Sequence, residues 1–292
     1  MTMLDKTIPH APDHVLPSAD PNATAGSTVV PDTVEEIGPA PRSNATRWIR
    51  LASIFIVLIG WELAGRQVNP LFMSYPSAIA TSAMRLIASG ELGAALLESL
   101  KTLLVGFVVS SAFGICVGLA IGRYRTVEAA TDWVINALYA TPLVAIVPLV
   151  TLWFGLGFQA KLFIVFIMTL FPVLINTSAG VRNVPAQLIE LGNAFAANEW
   201  QIFTKIILPS ALPYMMTGLR LGIGRAIIGM VVAEFFTAIT GLGALIIKYG
   251  NQYDTASMFV PIFVLMLLGI ALSVTVKRME DWIAPWKARQ GD

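Results

Sequence analysis

The chain is 292 residues long, 56% hydrophobic and only 13% charged, with a mean hydropathy of +0.72. A typical soluble domain has about 25% charged residues, so this composition excludes an ordinary water-soluble fold and points to a polytopic membrane protein. A formal net charge of +1 gives no electrostatic basis for nucleic-acid binding, and a single cysteine excludes an internal disulfide framework.

Residues 1–46 are rich in Pro, Ala, Ser, Thr, Asp and Asn and have no sustained apolar period. That predicts a disordered tail, and without the basic start and apolar core of a signal peptide it is expected to be retained. Both histidines, His10 and His14, fall within it. No histidine-based metal or acid–base site is therefore expected in the remainder, 47–292, which reads as one transmembrane domain. No cofactor is expected.

A helix needs about 20 largely apolar residues to cross the hydrocarbon core. Six such spans are expected, at 48–64, 103–122, 133–154, 162–179, 217–238 and 255–276. Glu62 interrupts the first, and Arg220, Arg225 and Glu234 interrupt the fifth. The predicted class is an all-α, six-span membrane protein. Between the first two spans, Pro76 opens a helix that ends near Gly90; Ile79, Ala83 and Leu86 share one side, able to rest on the membrane surface. The second span carries Gly106, Ser110, Gly114, Gly118 and Gly122 at every fourth position, a stripe that lets another helix approach closely. Gly218, Gly222 and Ala226 repeat the register in the fifth. Cys116 reads as a small apolar core residue. Pro142, Pro148 and Pro172 are expected to kink spans three and four.

Charged residues inside spans are costly and by default functional. Glu234 is a candidate gate, or a partner for a basic residue on another helix. Arg220 and Arg225 read either as snorkelling side chains or as groups that attract an anion along a translocation path. Past the fifth span, Gly241 and Gly243 frame a tight turn. Lys248, Tyr249, Asn251, Gln252, Tyr253 and Asp254 follow as candidate contacts for a substrate-delivering protein.

Lys and Arg near span ends set orientation. With the N-terminus inside, the inner segments hold Arg42, Arg47, Arg50, Arg123, Arg125, Arg182, Lys205, Lys277, Arg278, Lys287 and Arg289. The outer ones hold only Arg66, Arg85, Lys101, Lys161 and Lys248. Both termini and the segment 182–213 are therefore expected on the cytoplasmic side.

That segment, RNVPAQLIELGNAFAANEWQIFTKIILPSALP, is a polar island between two apolar spans. A long connection with order of its own is usually functional. Asn183 is expected to cap a first short helix, with Pro185 in its opening turn. Asn198 and Gln201 form a capping box for a second, on which Trp200, Phe203 and Ile207 share a face suited to docking a partner.

The order Glu190, a small-residue run and Ile206-Ile207-Leu208-Pro209 resembles the EAA loop of bacterial ABC importer permeases. Further matching motifs are LLVGFVVSSAFGICVGLAIGR (103–123), PLVTLWFGLG (148–157), FPVLINTSAGVRNV (171–184) and AEFFTAITGLGALI (233–246). They resemble the branch importing sulfonates, taurine and nitrate, over roughly 48–282. The resemblance implies a type I ABC importer permease fold in a bacterial inner membrane, with the loop as a cytoplasmic coupling helix. Glu190, Ala194, Ala196, Asn198, Trp200, Phe203, Ile207, Leu208 and Pro209 would meet the ATPase. It further implies a second copy of the chain, a separate ATP-hydrolysing subunit and an extracytoplasmic solute-binding protein, with no nucleic acid. Relatives carrying pyrimidine-type vitamin precursors leave that cargo as the alternative. Two departures stand out: Leu191-Gly192 replaces the family's Ala-Ala, and Ala196 replaces its hallmark glycine. Asn198 tolerates the left-handed conformation better than most residues and is expected to take part of the turn.

The chain contains no G-x-x-x-x-G-K-[ST] phosphate loop, no H-E-x-x-H and no G-x-S-x-G. It is therefore not expected to be an enzyme. A secondary transporter would need inverted repeats and midplane ion sites; no internal repeat is evident, and the spans are poor in carboxylates.

Overall fold

The computed structural model describes residues 44–69, 71–237 and 239–283. The tail expected over 1–46 lies outside them, apart from the three residues that open the first helix. The chain divides into two units, one ending at Ile49 and the other beginning at Arg50, and the helical bundle belongs to the second. Among the described residues every regular element is helical.

Apolar periodicity and prolines account for the element boundaries. Helix α1 is Asn44–Gln67, and α2, Pro76–Ala88, begins with proline at its first position. Gly90, at φ +76, turns the chain into α3, Glu91–Arg123. Helix α4, Arg125–Ala140, stops before Pro142, and a short 3-10 turn leads into α5, Val147–Phe154. Helix α6 is Phe158–Arg182 and α7 is Ala186–Ala194. One turn of helix, α8 (Glu199–Ile202), runs through a π-helical turn, Phe203–Ile207, into α9, Leu208–Thr237. Helices α10, Leu242–Asn251, and α11, Thr255–Ile283, complete the chain.

Helices α3, α6 and α11 are each long and apolar enough to cross a membrane. Two bent pairs also qualify, α4 with α5 and α8–α9 with α10. Helix α1, at 24 residues, exceeds the roughly 20 a crossing needs, and exposes Ile54, Phe55, Ile56 and Val57 along its length. Span three is not the kinked helix expected from its prolines. It is broken, with its halves at 83°, because Pro142 has no N–H to continue α4. Helix α3 also starts twelve residues before the expected span, since Glu91, Glu98 and Lys101 interrupt the apolar pattern without breaking the helix.

Helix α6 is the centre of the bundle. Its main neighbours are α3 and α9, and both approach it through small residues. A Cβ on Gly106 would lie 2.6 Å from Val165 Cγ1, on Gly118 2.7 Å from the Leu174 carbonyl, and on Gly122 2.8 Å from that of Ser178. Ser110 donates to the Phe166 carbonyl at 2.8 Å. Gly114 is looser, at 3.2 Å from Val173. From the other side Gly218 and Gly222 close on Asn176 and Val173. Cys116 is exposed on the outside of α3, not packed in the core as its apolar neighbours had implied.

The apolar side of α2 does not rest on a membrane surface. Ile79 and Leu86 are buried in a cluster with Leu92, Leu242, Leu245 and Val260.

Candidate functional site

The segment 182–213 is held by local chemistry at each end of α7. Asn183 does not cap α7; it terminates α6, and Pro185 precedes α7 without a side-chain cap. The other end is a Schellman turn, in which the Ala196 N–H donates to Asn193 O at 2.9 Å and the Ala197 N–H to Gly192 O at 3.0 Å. The left-handed residue this turn requires is Ala196, at φ +50. Asn198 does not share the turn as expected. It is extended, at φ −76, and its side chain accepts from the Gln201 N–H at 2.8 Å while Gln201 accepts from the Asn198 N–H at 2.9 Å. A residue with a Cβ costs about 1–2 kcal/mol in the left-handed region. Ala196→Gly is therefore expected to stabilise the protein by about 1 kcal/mol after the loss of backbone entropy. A higher thermal midpoint of the purified protein is the check, and a lower one would contradict the turn.

A Cβ at the buried Gly192 would sit 2.9 Å from Ile206 Cδ1, the movable tip of that side chain, so an alanine there asks only for a small shift of Ile206. Ile202 and Ile207 are buried with Val181, Val184, Ala211 and Met215. The predicted stripe of Trp200, Phe203 and Ile207 is thus divided. Ile207 faces the bundle, while Trp200 is 70% exposed with its ring stacked 6.0 Å from Phe203. The exposed apolar side chains of the segment are Trp200, Phe195 (78%), Leu191 and Leu188, and Glu190 and Ala194 are exposed as well. The spacing 188, 191, 195 is itself a helical stripe, which the aromatic run after Asn198 masks in the sequence. Leu208 and Pro209 are half-buried and open α9 without a break. Two ion pairs fasten the surroundings, Arg123 with Glu199, and Arg182 with Glu128 at 2.5 Å. At the surface such pairs are worth about 0–1 kcal/mol each, so they orient the segment more than they stabilise it.

The charges of α9 fall into three different settings. Arg220 pairs with Glu280 of α11, a nearly buried carboxyl, so it does not simply snorkel. Glu234 is fully buried. Its partners are not basic: the Ser99 hydroxyl donates to it at 2.7 Å and the Gly243 N–H at 2.8 Å. Ser99 in turn accepts from the Leu242 N–H. Glu234 therefore caps the start of α10 and ties it to α3 and α9. Gly241, at φ +104, fits where a Cβ would collide with that carboxyl. Lys161 closes the same turn, donating 2.8 Å bonds to Thr240 O and Oγ1. Arg225 is exposed and lines a cavity of about 280 Å³ beside the broken span.

At the opposite end, several expected partner contacts are engaged within the chain. Lys248 and Tyr249 both bind Glu91, while Asn251, Gln252 and Tyr253 stay exposed. Burial would raise the Asp254 carboxyl. The Ser257 hydroxyl and N–H, with the Arg85 guanidinium, outweigh that and hold it below its usual value.

Residues 110–289 match the family described as binding-protein-dependent transport system inner membrane component. Similar relatives include the riboflavin transport system permease protein RibX of Chloroflexus aurantiacus, 32% identical over 87% of this chain and 97% of that protein. The formylaminopyrimidine transport permease protein ThiX of Halalkalibacterium halodurans is 31% identical over 80% and 94%. The putative aliphatic sulfonates transport permease protein SsuC of Escherichia coli is 33% identical over 82% and 94%. A solved amino acid ABC transporter chain shares the fold, with a TM-score of 0.52 at 15% identity over 69% of this chain and 97% of that one. In this family the chain is a transport component and not an enzyme, ATP being hydrolysed by a separate subunit. The apolar helices, their close packing around α6 and the family match converge: this chain belongs to the binding-protein-dependent transport system inner membrane components, the multi-pass inner-membrane permease subunits of ABC importers.

Proposed function

We propose that the exposed face of Leu188, Leu191, Phe195 and Trp200 is where the ATPase subunit docks, and that the docked segment drives α9. The observation that carries this reading is the unbroken path from α8 through the π-helical turn into α9. A shift imposed on Trp200 is passed along a single helical rod to Arg220 and Arg225. In this reading two copies of the chain enclose the solute path, and a binding protein delivers solute at the opposite face, near Asn251 to Tyr253. The excess of Lys and Arg at one set of span ends supports cytoplasmic termini and a cytoplasmic coupling segment. Reporter fusions after Arg123 and Lys205 are expected to read cytoplasmic, and those near Gly90 and Asn251 external. An external signal at Lys205 would remove the docking surface from the side where ATP is available.

The cargo in this reading is a small anion such as a sulfonate, supported by the sulfonate-transport relatives and by Arg225 on α9. The riboflavin and formylaminopyrimidine relatives favour a vitamin-type heterocycle as the second reading. Equilibrium binding of the cognate solute-binding protein to a panel of both classes decides between them. Binding of anions alone is the expected outcome, and binding of a neutral heterocycle with no anion would retire the first reading.

A further inference from the structure

We propose that the cavity between the start of α3 and α10 is a socket for a basic side chain of the extracytoplasmic binding protein, with Glu98 as the carboxylate that receives it. The inference rests on the reading of this chain as a permease supplied by such a protein, and it adds the site and the sign of the charge.

The cavity measures about 550 Å³, and Glu91, Glu98, Thr240, Gly241 and Lys248 are among the residues that line it. It lies at the end of the bundle remote from the docking segment: Glu91 opens α3, whereas Arg123, which closes that helix, pairs with Glu199. Its two carboxylates differ in state. Glu91 is engaged, 2.5 Å from the Lys248 ammonium and 2.8 Å from the Tyr249 hydroxyl. Glu98, about two turns further along the same helix, is half-buried, and its side chain has no hydrogen bond or ion pair with any described residue. The neighbouring lysines are held elsewhere. Lys161 donates to the Thr240 carbonyl and hydroxyl and acts on Glu98 only through space, and Lys101 lies over the Phe158 ring. A charge withdrawn from water is costly until something pairs with it.

The walls select the partner. With Glu91 engaged, one carboxylate is left, too few for a divalent cation, which takes about six or more oxygen ligands. Among the described residues no group of three or more His, Cys, Asp or Glu could hold a metal ion. Ala94, Ala95, Ala244 and Leu245 give the cavity an apolar lining, and Lys and Arg lay their stems along such surface while the charged head reaches its partner. Lys248 already meets Glu91 in this way. A side chain of the binding protein is favoured over a free amine because α10, which forms one wall, ends at Asn251, beside the exposed Gln252 and Tyr253. Another part of the wall is the turn at Thr240, which Lys161 ties down and which follows α9. A side chain seated on Glu98 therefore meets the outer end of the rod whose inner end carries Trp200.

The test uses the full-length chain assembled with its ATPase subunit in nanodiscs of phosphatidylcholine and phosphatidylglycerol, lipids without a primary amine, and the cognate binding protein in solution. Glu98→Gln keeps the size of the side chain and removes its charge. It is expected to weaken binding by about tenfold or more, the scale of one charge pair withdrawn from water, with co-purification of the ATPase subunit unchanged. Ala94→Lys is the second variant, in case the first does not assemble. It places an ammonium one turn before Glu98 and should weaken binding similarly by occupying the carboxylate. In a double-mutant cycle, one Lys→Gln or Arg→Gln change in the binding protein should be non-additive with Glu98→Gln. Unchanged affinity in the assembled variants overturns the proposal, as does a loss that no basic residue of the binding protein shares. Failure of both variants to assemble also overturns it, since the carboxylate would then be a packing group. Delivery at this face is read separately, by crosslinking the binding protein through Asn251→Cys in a Cys116→Ser background. Crosslinking with unchanged affinity removes the socket and leaves the delivery reading intact. A coupled loss of affinity without crosslinking keeps the socket and moves the delivery contact away from Asn251.

Discussion

Trp200→Asp and Phe195→Asp are each expected to release the ATPase subunit from the solubilised complex and to abolish uptake, while leaving the membrane-embedded chain folded. Both side chains are exposed, at 70% and 78%, so neither substitution opens a cavity in the bundle. Trp200 stacks on Phe203, and the capping box and Schellman turn that shape the segment involve other atoms. Buried aromatic anchors at interfaces typically contribute about 2–4 kcal/mol, which corresponds to a weakening of roughly 30- to 1,000-fold. A carboxylate placed against an apolar groove adds a desolvation cost. Glu190→Lys reverses an exposed charge about 100° round α7 from Leu191 and should act less strongly, since exposed charges contribute little. Co-purification of the ATPase subunit and ATP-dependent uptake are the two measurements. Retention of both activities in Trp200→Asp and Phe195→Asp would place the docking surface elsewhere.

Substitutions in the stripe of α3 should follow a graded order set by what each new methyl group would strike. At Gly118 and Gly122 the nearest obstacles include the carbonyls of Leu174 and Ser178, at 2.7 and 2.8 Å. A backbone carbonyl within a helix cannot swing aside, so α3 and α6 would have to separate. At Gly106 the obstacle is Val165 Cγ1 at 2.6 Å, a stiff β-branched side chain, and at Gly114 the 3.2 Å gap to Val173 requires only a small adjustment. Gly60 has no atom within 4 Å. Overpacking typically costs about 1–3 kcal/mol and occasionally more. Gly118→Leu and Gly122→Leu are expected at or above the top of that range, Gly114→Ala near its foot, and Gly60→Leu at no measurable cost. The yield of monodisperse protein and its thermal midpoint report the order. Equal tolerance at Gly118 and Gly60 would mean that the stripe does not meet α6.

The sequence alone determined whatever depends on local chemistry and on one-dimensional patterning. Low charge and long apolar runs identified a membrane bundle because each span must satisfy its own backbone and present apolar atoms to lipid. The Asn198–Gln201 box was legible because both of its hydrogen bonds lie within four residues, and the break near Pro142 was partly legible because proline's missing N–H is a local fact. Other features depended on distant neighbours. The stripe of α3 was visible as a pattern, but only packing against Val165, Leu174 and Val181 of α6 distinguishes a contact of backbones from a lipid-facing surface. Glu234 read as a gate or an ion-pair partner because its partners, Ser99 and Gly243, are 135 and 9 residues away on other helices. Arg220 found Glu280 of α11, which no spacing rule announces. The divided aromatic stripe has the same origin: the π-helical turn adds a residue to the register and rotates Ile207 inward while Trp200 stays outside. Hydrophobic period and capping act through the few residues beside them in the chain. Which side chain is neutralised, which is buried and which remains open to a ligand is decided by helices that meet only after the bundle has closed.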